Sequence, residues 1–387
     1  MSQPTVPILN LKPQYQAIRL EIQAAVNRVL ESGQFILGAE VSRFEEAAAE
    51  YLGVKHAIGV NSGTDALMIG LRAAGVAPGD EVITTPFSFF ATAESISNVG
   101  AAPVFADVET ASFNIDPDKI RDRITAKTKA IMPVHLYGNP AAMAKIIEIA
   151  AEHNLKVIED CAQAFGATYK GDCLGCDESC QPAMRDRLLG KYVGAIGDVG
   201  AFSFFPTKNL GAYGDAGLMT TNDDAIAELA RKLRVHGAAK RYENEMLGYN
   251  SRMDAIQAAI LGVKLPYVNK WNQQRRDVAA TYNKLLADLP GIVTPAITAG
   301  HVFHQYTIRI LDGKRDAVKQ FLADQGIGAM IYYPIPQDRL PVYDGLFPTN
   351  PVSEQLAAAV LNLPIWPELE ETTQKRVASA IAAALDL

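Results

Sequence analysis

Short apolar runs alternate with amphipathic helical stretches through the first two-thirds of the chain, and this alternation narrows the fold more than any other feature. The runs are 56–60, 81–84, 103–106, 130–135, 156–159, 201–204 and 217–220. Between them lie stretches such as 65–74 and 142–153, with apolar residues at helical spacing. A βαβα order predicts an α/β fold whose mainly parallel sheet is covered on both faces. Such sheets bind ligands beyond the carboxyl ends of their strands. Chemistry is therefore expected just after each apolar run.

The 387 residues exceed one ordinary core. From 253 to 286 the pattern is mostly helical, and Pro266 is expected to kink or split it. A second set follows: a strand-like run at 305–310, a helical stretch at 315–325, and 329–332 leading into YPIP. The expectation is a large domain, 1–264, that includes the N-terminal segment, and a smaller C-terminal α+β domain, 265–387. Hydrophobic residues make up 49% and charged ones 20%, so the chain can bury full cores. A net charge of −7 argues against a nucleic-acid or anionic-membrane surface. No apolar run is long enough to span a bilayer, and MSQPTVPILN lacks a signal peptide's basic start and apolar stretch. A cytoplasmic protein is expected.

The stretch 171–194 reads as a loop insertion, rich in Gly, Cys, Asp and Arg. It holds Cys173, Cys176 and Cys180 in a C-x2-C-x3-C run. A closed zinc site needs four ligands, and the run offers no fourth. Incidental thiols and no metal are the expectation.

Four strand ends carry chemistry. In SFFPTKN, Lys208 follows the run at 201–204. A partly desolvated lysine amine forms Schiff bases with carbonyls, although most lysines are simply solvated. In VIEDCAQA, Asp160 follows another run, where a carboxylate could pair with a protonated pyridine nitrogen or cap a helix. In GVNSGTDAL, Ser62, Gly63 and Thr64 turn a strand into a helix, which makes either a phosphate site or an ordinary cap. In TPFSFFATAE, Phe87, Phe89 and Phe90 crowd a junction, and one could stack on a planar ring rather than fill core. Each signal is weak singly. Together and in order they compose a site for pyridoxal 5′-phosphate (PLP).

These residues carry a resemblance. The chain resembles the DegT/DnrJ/StrS-type sugar aminotransferases, PLP enzymes of fold type I. The match includes GQFILGAEV, NSGTDAL, AAPVFADV, VIEDCAQAFGA, GAFSFFPTKNLGAYGDAG, GYNSRMDAIQAAIL and YYPIP, and covers nearly the whole chain. The resemblance implies that Lys208 bonds the cofactor and shuttles a proton. Asp160 would pair with the ring nitrogen, Gln163 would contact the ring face or its phenolic oxygen side, and Phe89 would stack. Gly63, Thr64 and Ser203 would hold the phosphate, and Asn250 would reach the phosphate of a neighbouring subunit, which makes the active site a property of a homodimer. Arg252 would meet an anionic group of a substrate or form a structural ion pair. Tyr332 and Tyr333 lie in the loop that shapes the acceptor pocket.

The implied reaction moves an amino group from glutamate to a UDP- or dTDP-linked keto-sugar, as in amino-sugar and polysaccharide biosynthesis. Asp65, in GTDAL, leans towards a 3-keto sugar. Two departures stand out: the 171–194 insertion, and YYPIPQD where relatives often read HYPIPLH, which places Tyr332 and Asp338 at histidine positions. A keto-inositol acceptor and a PLP-binding regulator without turnover stay open. The family's dehydratases carry histidine where this chain has Lys208.

Overall fold

Each of the seven apolar runs becomes a strand: β1 (His56–Val60), β2 (Glu81–Thr84), β3 (Ala102–Phe105), β4 (Thr128–Met132), β5 (Lys156–Asp160), β6 (Val199–Ser203) and β7 (Gly217–Thr221). They lie in the order β1-β7-β6-β5-β4-β2-β3. Strands β3, β2, β4, β5 and β6 pair in parallel, and β7 runs antiparallel between β6 and β1. This is the mainly parallel α/β sheet that the alternation of the sequence predicts. The computed structural model describes residues 5–171, 182–240, 242–343 and 345–386.

Successive side chains of a strand point to opposite faces of the sheet. Ile58, Met132, Ile158, Ala201 and Met219 pack on one face with residues of the helices Gly63–Ala73 and Asp224–Leu233. Their neighbours Ala57, Phe202 and Leu218 pack on the other, with the helices Ala39–Leu52 and Ala255–Lys264. Ile131 and Val157 extend that second face to the helix Met143–His153. Burial on both sides is why the strands read as continuous apolar runs rather than as alternation.

The helical stretch does split at Pro266. Helix Ala255–Lys264 ends in a single 3-10 turn, Leu265–Tyr267, before helix Val268–Leu286 begins. A hairpin, β8 (Ala238–Lys240) and β9 (Glu243–Asn244), precedes this region. Beyond it β10 (Ile292–Val293), β11 (Tyr306–Ile310) and β12 (Val360–Leu363) form an antiparallel sheet. Its core joins Tyr282, Ile308, Leu322, Leu361, Val377 and Ile381. The run 329–332 contributes only an isolated bridge, Met330 to Asn362. Val6, from the N-terminal segment, bridges Ile327 and is buried in this second core.

The expected loop at 171–194 contains a helix, Pro182–Leu188. Two turns are too short for a periodic signal in sequence. The Cys173–Cys180 run lies outside the described residues.

Candidate active site

Strands β5 and β6 are adjacent and parallel, so their carboxyl ends emerge side by side. Asp160 is the last residue of β5 and is buried. Lys208 follows β6 by five residues, in a turn closed by its own N–H donating to the Phe205 carbonyl at 2.9 Å. The topology thus brings together two groups 48 positions apart in the chain, as 208 − 160 shows.

Their electrostatics are coupled. Burial lowers the Lys208 amine from 10.5 to about 8, and the Asp160 charge pulls it partly back up. Burial pushes the Asp160 carboxyl up, while the Thr92 hydroxyl, the Ala162 N–H, Lys208 and His135 hold it down. Thr92 Oγ1 donates to Asp160 Oδ2 at 2.8 Å and the Ala162 N–H donates to Oδ1 at 3.1 Å. A buried carboxylate costs several kcal/mol unless paired. Two neutral donors and one nearby cation leave Asp160 suited to a further cationic partner.

The Ser62–Thr64 turn opens helix Gly63–Ala73 beside this pair. Ser62 Oγ accepts from the Asp65 N–H at 3.1 Å and caps the helix. The turn lies hard against the ends of β6 and β7. A Cβ on Gly63 would fall 2.7 Å from Ser203 Cβ, and one on Gly217 would fall 2.3 Å from the Ser62 carbonyl. Only glycine permits that approach. The result is a helix N-terminus, with its free N–H groups and positive dipole end, held next to the Ser203 hydroxyl, which suits a phosphate.

Gln163 is buried with both ends of its amide used. Its Oε1 accepts from the Tyr137 N–H at 2.7 Å and its Nε2 donates to the Tyr333 hydroxyl at 3.0 Å. Phe89 is exposed, and its ring centroid lies 6.2 Å from that of Tyr333. Tyr332 donates its N–H to Asn362 Oδ1 at 3.1 Å and accepts the Tyr137 hydroxyl at its carbonyl. It also lines a cavity of about 80 Å³ with Thr207, His304, Gln305 and Asn362. Asn250 and Arg252 form no hydrogen bond with this cluster among the described residues. Asn250 is exposed and bridges Val235, and Arg252 lines an open groove of about 590 Å³ with His236, Lys240 and Tyr242.

Sequence reasoning missed His304 and the network that orients it. Asn209, next to Lys208, donates through Nδ2 to Asn272 Oδ1 at 2.8 Å and to the Val302 carbonyl at 3.0 Å. Its Oδ1 must then accept from His304 Nδ1, 3.2 Å away. Burial, with the Lys208 and Arg275 charges, keeps His304 well below its usual range and therefore neutral. The contacts span 63 and 95 positions, so no local pattern announces them.

A second buried cluster, His135, Glu159 and Cys161, has metal-ligand residue types. Its atoms are otherwise engaged. His135 Nδ1 accepts the Ala141 N–H, which leaves the Nε2 proton facing Glu159 Oε2 at 3.0 Å. Glu159 also accepts the N–H groups of Gly194, Ile196 and Gly197. The cluster pins the segment before β6 to the end of β5.

A lysine with a lowered pKa, a buried carboxylate beside it and a helix start suited to a phosphate, all at the carboxyl edge of one sheet, fit the site of a PLP-dependent enzyme of fold type I. The profile of the DegT/DnrJ/EryC1/StrS aminotransferase family matches residues 16–382. The chain belongs to that family. It is 49% identical over 384 residues to a "pleiotropic regulatory protein" of Geobacillus stearothermophilus, covering 97% of this chain and 98% of that one. It is 43% identical to a UDP-N-acetyl-3-dehydro-α-D-glucosamine 3-aminotransferase of Acidithiobacillus ferrooxidans, over 98% of each. Among solved structures, Streptomyces venezuelae DesV in complex with a ketimine intermediate superposes with a TM-score of 0.90 at 40% identity, over 98% of each chain. Among the described residues no helix is long and apolar enough to cross a membrane.

Proposed function

We propose that the protein transfers the amino group of glutamate to a UDP- or dTDP-linked 3-keto sugar, with PLP held on Lys208, as a cytoplasmic homodimer with shared active sites. The juxtaposition of Lys208 and Asp160 at the ends of β5 and β6 carries the reading. Bound PLP would supply the carrier for the amino group and an electron sink for the reacting carbon. Asp160 Oδ2 or Oδ1 would keep the proton on the ring nitrogen. Ser203, Gly63 and Thr64 would hold the phosphate, with Asn250 from the partner subunit. Phe89 would lie on one ring face and Gln163 near the other. Lys208 Nζ would take a proton from one carbon and return it to the next, a task suited to an amine poised near neutral pH. Tyr332, Tyr333 and Arg252 would meet the acceptor. We further read 1–264 and 265–387 as the two domains, with the N-terminal segment lying across to the second core.

The named 3-keto specificity of the Acidithiobacillus ferrooxidans relative supports the acceptor class. The regulatory name of the Geobacillus stearothermophilus relative favours a second reading, a PLP-binding regulator without turnover. Both are tested by incubating purified holoenzyme with glutamate and a panel of keto-sugar nucleotides, with a keto-inositol as a further acceptor. Formation of 2-oxoglutarate together with a 3-amino sugar nucleotide is the expected result. Cofactor binding without consumption of glutamate by any acceptor would leave the regulatory reading.

A further inference from the structure

In the segment 332–339, which departs from the family pattern at Tyr332 and Asp338, Gln337 and Asp338 turn their side chains inward. Gln337 and Asp338 are fully buried. A buried carboxamide is costly unless both of its ends find partners. Those of Gln337 do, and on one segment. Its Oε1 accepts the Ala93 N–H at 3.1 Å and its Nε2 donates to the Thr85 carbonyl at 3.1 Å. Its backbone N–H donates to the Pro86 carbonyl at 2.7 Å. One residue thus makes three hydrogen bonds across the 85–93 stretch.

What that stretch carries makes the clamp informative. Helix Ala91–Asn98 begins there without a side-chain cap of its own, and Gln337 supplies an acceptor to its third residue. Thr92, beside Ala93, donates to Asp160. Phe89 packs against Tyr333. On the other side, Pro334-Ile335-Pro336 separates Gln337 from Tyr333, and each proline fixes its own φ. A clamp at Gln337 is therefore transmitted to Tyr333, whose hydroxyl is held by Gln163.

We propose that Gln337 is a positioning residue for the acceptor. It locks the Tyr332–Tyr333 wall to the Thr85–Ala93 segment and so fixes where Tyr333 stands against Phe89. This deepens the function proposed above and rests on it. Among the described residues Gln337 has no hydrogen bond to Lys208 or Asp160, and Thr92 reaches Asp160 through its own hydroxyl, so the larger loss is expected in the acceptor half.

Gln337→Leu removes both side-chain hydrogen bonds. Gln337→Met removes the same two bonds while keeping an unbranched side chain of similar length, and it should behave as Gln337→Leu does. Misplacement of a reacting group by an ångström costs up to about 100-fold. For Gln337→Leu the expected result is an acceptor KM raised about tenfold or more, with the glutamate half-reaction, followed by the cofactor's visible absorbance in single turnover, within about twofold of the parent. Circular dichroism and cofactor absorbance establish that each variant is folded and loaded. If wild-type protein turned over no keto-sugar nucleotide, the function reading would fail. If wild-type protein did, and Gln337→Leu left the acceptor KM unchanged or slowed both halves equally, the positioning role would be overturned.

Discussion

Lys208 sits where burial and a neighbouring carboxylate act on it in opposite senses, and burial wins. The amine falls from 10.5 to about 8, with Asp160 opposing. Only the neutral amine attacks a carbonyl, so uptake of PLP by apoprotein should quicken about tenfold per pH unit below pH 8 and level off above it. Stopped-flow absorbance of cofactor binding from pH 6 to 10 would measure the midpoint. A rate still climbing at pH 10 would place Lys208 in solvent. Asp160 and Lys208 were legible in the sequence because one ends an apolar strand and the other lies in the turn just past one, and strand ends are where such sheets bind ligands. Asn209, His304 and Gln337 were not. Each acts through a side-chain hydrogen bond to a residue at least 63 positions away, and polar residues in loops carry no period to betray their partners.

Strands buried on both faces announce themselves, and elements fixed by a partner do not. All seven apolar runs became strands, although β6 starts two residues before the run at 201–204 because Val199 and Gly200 pair with β5. β12 went unread: AAAVLNL continues a helical composition, and it is pairing with β11 that extends Val360–Leu363. The same holds for the start of helix Pro351–Ala359. Its N-cap residue, Asn350, makes no capping bond. The cap comes from Asp107, whose carboxylate accepts the N–H groups of Val352 and Ser353 and the Ser353 hydroxyl, at 2.9, 3.0 and 2.6 Å. Asp107 therefore ties the end of β3 to the C-terminal region. Asp107→Ala should cost about 1–2 kcal/mol, the value of a lost cap, read as a lower urea midpoint with an unchanged slope. A variant within 0.3 kcal/mol of the parent, an amount of order one-fifth of such a cap, would show that water replaces the contact.

At the scale of the whole molecule the N-terminal helices leave apolar surface uncovered. Leu20, Leu30, Phe35, Ile36, Phe205 and Tyr213 are exposed, and a groove of about 560 Å³ is lined by Leu11, Tyr15, Ile22, Val26 and Tyr213. Lone exposed apolar residues need no explanation, but a lined groove does. Asn250 faces outward and, among the described residues, has no hydrogen bond to the Lys208 cluster of its own chain, which fits a residue that serves a partner's site. The proposed homodimer therefore makes a prediction that a monomer cannot meet. Lys208→Ala and Asn250→Asp should each remove most of the activity, the second by placing a negative charge against the phosphate. In a heterodimer of the two, one site would carry both lesions and the other neither, if Lys208 and Asn250 come from different chains. Random pairing puts half the molecules in heterodimers, so co-expression in equal amounts should restore about a quarter of wild-type activity. Were both residues to act within one chain, every site would carry one lesion, and co-expression would restore nothing.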